Sequence, residues 1–216
     1  GQRAGALRPG GTEFEDEDLL SVKPGRTKGE YCWTSTSSAI LYVINTFNVK
    51  RCTYVDADLY FFSAPDPVFF ELNNNSILLT EHRYTKKYDQ SSFSGIYCVQ
   101  FITFTADEKG LNAIKWWRNA CIDWCYNRHE DGKFGDQKYL DDWQDRFPGV
   151  HVLANLGAGV APWNVQQYLF RTKDTKIFGS EKGHSVNQLR HSFLTDKYAD
   201  SIKMKSAMAK DMEEMG

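Results

Sequence analysis

Between Tyr31 and Phe47 the apolar residues Ile40, Leu41, Ile44 and Phe47 recur three and four positions apart, behind a run of Ser and Thr suited to capping, and predict a helix. "CTYVDADLYFF" follows as a short strand, "DPVFFEL" as a helical turn with Pro67 near its start, and "SILLTEHRY" as another strand. "GIYCVQFITF" is continuously apolar, which predicts a strand covered on both faces. The clearest helix is "ADEKGLNAIKWWRNACIDWCYNR", with a stripe of Leu111, Ile114, Trp117, Cys121 and Trp124 and with Lys, Arg and Asn opposite. "GDQKYLDDWQDRF" predicts a second helix opened by Asp136, and "VHVLANLGAGVAPWN" a strand running into a Gly-rich loop. Helices and strands alternate, so the expectation is an α/β fold with a mixed central sheet flanked by helices. Residues 1–29 read as an irregular N-terminal segment, 30–171 as the folded domain, and 172–216 as a polar extension that the pattern does not place.

Composition narrows this picture in three ways. A chain of 216 residues that is 41% hydrophobic can bury a substantial core. A net charge of −2 supplies no field that would draw the chain to nucleic acid or an anionic membrane. No apolar run approaches the roughly 20 residues of a membrane span. The basic start "GQRAGALRPGG" has no apolar stretch after it, so no secretory signal is read. Five cysteines in apolar surroundings read as thiols of a reducing cytoplasm. Cys121, Cys125 and His129 could line one helix face, but helix cores often carry Cys and no fourth zinc ligand stands nearby, so packing is the better reading.

Asp56 and Asp58 are the residues that carry chemistry. Aspartate is a poor strand residue and is rarely buried unpaired. At the end of an apolar strand, period-2 spacing sends both carboxylates to one side while the small Ala57 points away. Ligands of open α/β sheets bind outside strand carboxyl ends. Two hard anionic donors there suit Mg²⁺ or Mn²⁺, with the remaining ligands drawn from water and substrate phosphates. The plainer alternative is a pair of turn aspartates.

The blocks "CTYVDADLYFFSAPDP", "SGIYCVQFITF", "GKFGDQKYLDDW" and "NLGAGVAPWN", in this order, resemble bacterial nucleotide-diphospho-sugar glycosyltransferases similar to glycosyltransferase family 8, which have the GT-A fold. The likeness covers roughly residues 30 to 170. It implies that Asp56 and Asp58 hold Mn²⁺ or Mg²⁺ against the diphosphate of a nucleotide sugar, UDP-linked by preference, with Ala57 between them. Asp136 and Gln137 match the family's "DQ" near the transferred sugar and acceptor, as catalytic and positioning residues. Residues 155–163 occupy the place of the family's H-F-x-G-x-x-K-P-W. Its metal-binding histidine falls on Asn155 and its phosphate lysine on Ala161, leaving Asn155 as a third ligand and Gly157 and Gly159 as backbone donors to phosphate. His151, His184 or His191 are alternatives for the missing ligand. Trp33 and Thr34 are compatible with donor contacts, and Arg26 and Lys28 with the diphosphate.

Family 8 enzymes retain anomeric configuration, and the acceptor implied is the hydroxyl of a glycan or glycolipid. The expected location is cytoplasmic, with any membrane association made through the acceptor. GT-A domains open with a base-holding strand, and none is visible before Asp56, so an N-terminally truncated copy is expected. A dehalogenase-like phosphohydrolase also places D-x-D after a strand, but Tyr60 stands where it needs Thr or Val. The alternative of a different class is a non-catalytic GT-A-like module that binds carbohydrate or a partner.

Overall fold

The computed structural model describes residues 16–173, 176–181 and 193–195. Helix α1 (Glu17–Val22) is capped by Asp16, so the segment to residue 29 is not wholly irregular: Arg118 grips Asp16 with a 2.6 Å ion pair and fixes α1 on the body of the fold. Helix α2 (Lys28–Phe47) begins earlier than the Ser/Thr run suggests. Its cap is Thr27, in a reciprocal box with Glu30, and Asn48 closes it in the left-handed region. The Ser and Thr residues therefore lie inside the helix, where Thr34 and Ser35 donate to the carbonyls of Glu30 and Tyr31 at 2.7 and 2.6 Å. Ile40, Leu41 and Ile44 are buried as expected, but Phe47, in the last turn, is 56% exposed.

A four-stranded mixed sheet follows, built from β1 (Arg51–Val55), β3 (Ile77–Glu81), β4 (Tyr97–Thr105) and β5 (Val150–Val152) in the order β1-β4-β3-β5. β4 runs antiparallel to both neighbours, and β5 joins β3 in parallel. Every residue of β4 except the last is buried, as its unbroken apolar run predicts. Helices α2 and α5 (Glu108–Asp123) cover one face, and α3 (Asp66–Leu72) covers the other with Val68 and Leu72. Two smaller ribbons pair β2 (Leu59–Phe61) with β8 (Phe193–Thr195), and β6 (Tyr168–Lys173) with β7 (Lys176–Glu181), so the boundary expected at 171 falls within β6. Among the described residues no helix is long and apolar enough to cross a membrane.

β4 carries a large irregularity. Leu78 pairs with Thr103 and Thr80 with Cys98, so β3 advances two residues while β4 advances five. The odd excess of three changes which face alternate residues address: Val99 joins the α2/α5 cluster and Phe101 the α3 cluster. Thr80 bridges the bulge by donating to the Phe101 carbonyl at 2.9 Å.

The helix of residues 106–128 is shorter than its pattern, ending at Asp123, so Cys125 and His129 lie beyond it. Cys121 and Cys125 are fully buried and hydrogen-bonded to each other, consistent with packing, and none of the five cysteines is in a disulfide. The second expected helix is broken into a 3-10 turn (Lys138–Leu140) and a single turn, α6 (Trp143–Arg146). What holds this region is aromatic packing: Trp117 and Trp143 are fully buried edge to face, 5.8 Å apart, with Phe104 against both.

Gly110, in the first turn of α5, marks the closest approach of helix to sheet. A Cβ there would lie 2.1 Å from the Thr105 carbonyl oxygen. Helix propensity alone favours Ala over Gly by about 1 kcal/mol, whereas forced overpacking costs about 1–3 kcal/mol. With backbone as the obstacle the clash wins. Gly110→Ala is expected to lower stability by about 2 kcal/mol, read from the midpoint and slope of urea unfolding.

Candidate functional site

β1 ends at Val55, and the next two aspartates lie in a turn rather than along a strand. Asp56 donates its N–H to the Gln100 carbonyl at 2.9 Å, within the β4 bulge, and its own carbonyl accepts from Leu59 N–H at 3.2 Å. Ala57 and Asp58 are thus the central residues of a turn that leads into β2. This corrects the expectation that period 2 aligns the pair: aspartate favours turns over strand interiors, and the chain bends at the first one. Ala57 is exposed, while Asp56 and Asp58 are half-buried. Tyr54, two residues before Asp56, donates its hydroxyl to Asp56 Oδ1 at 2.8 Å. Burial, and then the negative charge of Asp56, push the Tyr54 phenol well above its ordinary range and keep it a donor.

Asp136 comes to the same place from a distant part of the chain. It is 5% exposed, in the turn that follows Phe134. Two contacts set that turn. The buried indole of Trp117 donates to the Asp136 carbonyl at 2.8 Å, and Gly135, at φ +54°, lays its backbone against Trp33, so that a Cβ would meet the ring at 3.4 Å. Burial first, with the charge of Asp56 added, raises the Asp136 pKa to about 7 against hydrogen bonds from its own and Gln137 N–H and from Thr36. Cys32 belongs to the same cluster: burial first, then Asp136 and Asp56, raise its thiol pKa. Asp136 does not cap a helix of any length, since its carboxyl is turned inward and the 3-10 turn starts after Gln137.

The other expected residues are placed differently. Gln137 is half-buried and presents its backbone N–H to Asp136. Trp33 is half-buried beside Phe134, with ring centroids 6.3 Å apart. Thr34 is fully buried, with its hydroxyl inside α2. Asn155 Oδ1 accepts from Gly157 N–H at 2.9 Å, so both members of that pair serve the loop itself. Gly159 is used for close packing, since a Cβ at its φ of +89° would stand 2.8 Å from Gln100 Nε2. Arg83 donates to the carbonyls of Asn155 and Leu153 and pins the loop's start. Ala161 is fully buried. The Gly-rich segment therefore backs the bulge that holds Asp56.

Arg26 donates to Ile122 O at 3.1 Å and lies over the Tyr126 ring, at the C-terminus of α5, and Lys28 is exposed at the start of α2. His151 lies 3.4 Å from Glu71, while His184 and His191 fall outside the described residues. Among the described residues no group of three or more His, Cys, Asp and Glu is arranged to hold a metal. Two carboxylates, Asp56 and Asp58, are the donor set the turn offers, a number that fits a magnesium-type ion completed by water and phosphate. Tyr54, Cys32 and Thr36 are site residues that sequence reasoning passed over. Only Tyr54 had a signal, its i, i+2 relation to Asp56.

No family model matches the chain. It is similar to two proteins of Bacillus subtilis (strain 168): 34% identical over 172 residues to the uncharacterized protein YfnF and 32% identical over 176 residues to the uncharacterized protein YfnD. The alignments cover 76% and 78% of this chain but 57% and 56% of those proteins, so the chain spans a little more than half the length of the relatives it matches.

A carboxyl that holds its proton to about pH 7 when folded and to about 3.8 when unfolded binds more protons in the native state between those values. Stability then falls as pH rises through that window, at up to about 1.4 kcal/mol per pH unit. The wild type is expected to lose about 2–3 kcal/mol between pH 5 and pH 8 that Asp136→Asn does not lose. Urea unfolding of both proteins at the two pH values measures the difference, and parallel pH profiles would remove Asp136 from this account.

Proposed function

We propose that the chain carries the donor-binding and catalytic part of a metal-dependent, GT-A-like glycosyltransferase, which moves a sugar from a nucleotide diphosphate to a hydroxyl of a carbohydrate acceptor. The observation that carries this reading is the convergence of buried Asp136 on Asp56 at the end of a sheet strand. A buried carboxyl with a raised proton affinity beside a second carboxylate has the make-up of an acid/base site next to a cation site.

Asp56 and Asp58 would hold Mn²⁺ or Mg²⁺, which when bound supplies charge neutralisation to the departing diphosphate. Tyr54 fixes the rotamer of Asp56 through its hydroxyl, so one carboxylate is positioned before any ligand arrives. Asp136, with a proton affinity near neutrality, is suited to hold the acceptor hydroxyl and receive its proton. Gln137, next in the chain, would hydrogen-bond the sugar. Retention of configuration is what the family resemblance adds.

The second reading, a non-catalytic carbohydrate-binding module, is favoured by one observation. Asn155 and Gly157 satisfy each other, where the resembling family places a metal ligand and phosphate contacts.

Calorimetric titration of UDP and GDP, with and without Mn²⁺, into the wild type and Asp58→Asn separates the two. Under the proposal one nucleotide binds only with Mn²⁺, and Asp58→Asn weakens it at least tenfold. Nucleotide binding that ignores both metal and mutation, or no binding by a folded sample, would sink the proposal and leave the binding module.

A further inference from the structure

A row of half-exposed aromatic rings leads away from Asp136 and has no part in the chemistry above. Trp33 stands at its inner end, packed on Gly135, the residue before Asp136. Phe134 lies beside Trp33 at 6.3 Å, and Phe93 beside Phe134 at 4.8 Å. The exposed ring of His129 stacks on Phe93 at 5.3 Å and 26°. Phe93 is 46% exposed on a four-residue helix, α4 (Ser91–Ser94), so core packing does not account for its position. The rings run in succession from exposed His129 to Trp33, which packs on the residue before Asp136.

We infer that the Phe93–Phe134–Trp33 row is an acceptor platform on which a neutral pyranose ring lies, an inference that rests on the glycosyl-transfer reading of the adjoining site. A pyranose has an apolar face of C–H groups and a rim of hydroxyls. An aromatic surface removes the first from water while leaving the second to polar neighbours, a division suited to rings with one face open. His129 lies within that surface and offers ring nitrogens to the rim.

The charge pattern argues for a neutral ligand. Two cations flanking the row are already matched, Lys138 with Asp141 at 2.6 Å and with Ser91 O, and Arg128 with Glu130 at 2.6 Å, while Lys133, next to Phe134, lies over the Trp124 ring. A phosphorylated or carboxylated sugar would have to draw Lys138 or Arg128 away from a carboxylate. The contact of Trp33 with Gly135 puts the inner end of the row one residue from Asp136, the residue that would take the proton.

Saturation-transfer NMR with the methyl glycosides of glucose, galactose and N-acetylglucosamine tests the platform, using wild type and Phe93→Ala. Phe93 is exposed, so its loss leaves the core intact. The expected result is saturation of ring C–H protons of at least one glycoside, falling at least fivefold in Phe93→Ala while Mn²⁺-dependent UDP binding is unchanged. Saturation equal in the two proteins, or absent from a wild type that binds UDP, overturns the platform and leaves the glycosyl-transfer reading standing. Saturation that depends on Phe93 in a protein that binds no UDP keeps the platform and removes the transfer reading. Concentration-dependent dimerisation lost in Phe93→Ala, with no glycoside signal, would assign the rings to a second copy of the chain and overturn the proposal.

Discussion

A buried indole N–H is stabilised by an acceptor, and in this fold Trp117, unlike its neighbour Trp143, has one in the carbonyl of Asp136. Trp117 cannot move to suit a loop, because Phe104 and Trp143 fix its ring within the core between α5 and the sheet. The hydrogen bond therefore acts in one direction: the core sets the position of the turn, and the turn sets the position of the carboxyl. A polar residue held through its backbone by the most rigid part of the molecule is reproducibly placed, which is what a reacting group requires. Gly135 serves the same constraint, since its left-handed conformation brings the chain against Trp33 immediately before Asp136.

The other half of the cluster is set by the irregularity of β4. An ideal antiparallel ladder would carry β1 and β4 on together past Val55. Three extra residues on β4 bend the strand at Gln100, whose carbonyl takes the Asp56 N–H at the point where β1 ends. The aspartates are thereby released from the sheet into a turn, and one of them keeps a backbone tie to the central strand. Thr80 and Gly159 belong to this arrangement, one bridging the bulge and the other closing over the Gln100 side chain. Loop, bulge and turn are stacked behind Asp56 in that order.

The architecture was legible wherever periodicity was strong. The buried run of β4, the stripe of α5 from Ile114 to Cys121, and the mixed sheet between helices all follow from hydrophobic pattern. The misreadings share a cause, because Ser, Thr and Asp have more than one satisfied arrangement. In α2 the hydroxyls that look like caps bond back within the helix, while Thr27 and Glu30 form the cap upstream. Asp136 looks like a helix cap and instead turns its carboxyl inward, while its backbone carbonyl accepts from Trp117. The position of Asp56 at the end of an apolar strand was legible, but the approach of Cys32 and Thr36 was not, since neighbourhood across α2, β1 and the 134–137 turn is purely tertiary. The Gly-rich loop shows the converse: glycines that suggest phosphate are accounted for by Asn155 and Gln100.

Charge decides how the cluster should be read. A carboxyl buried for structural reasons would be surrounded by donors and cations that lower its pKa, as Asp16 is by Arg118 and the Leu19 N–H. Asp136 is in the opposite condition. Burial and a neighbouring carboxylate raise its affinity for a proton, and the hydrogen bonds it receives offset them only in part. A fold under no demand at this place would gain stability by replacing Asp136 with its neutral isostere, which could accept the same N–H and hydroxyl bonds. Local conflicts of this kind persist where function needs them. Under the proposed function, a divalent cation held by Asp56 and Asp58 would relieve the repulsion and favour the ionised, proton-accepting form of Asp136. The electrostatic conflict at this cluster is the property that the proposed metal-dependent transfer would use.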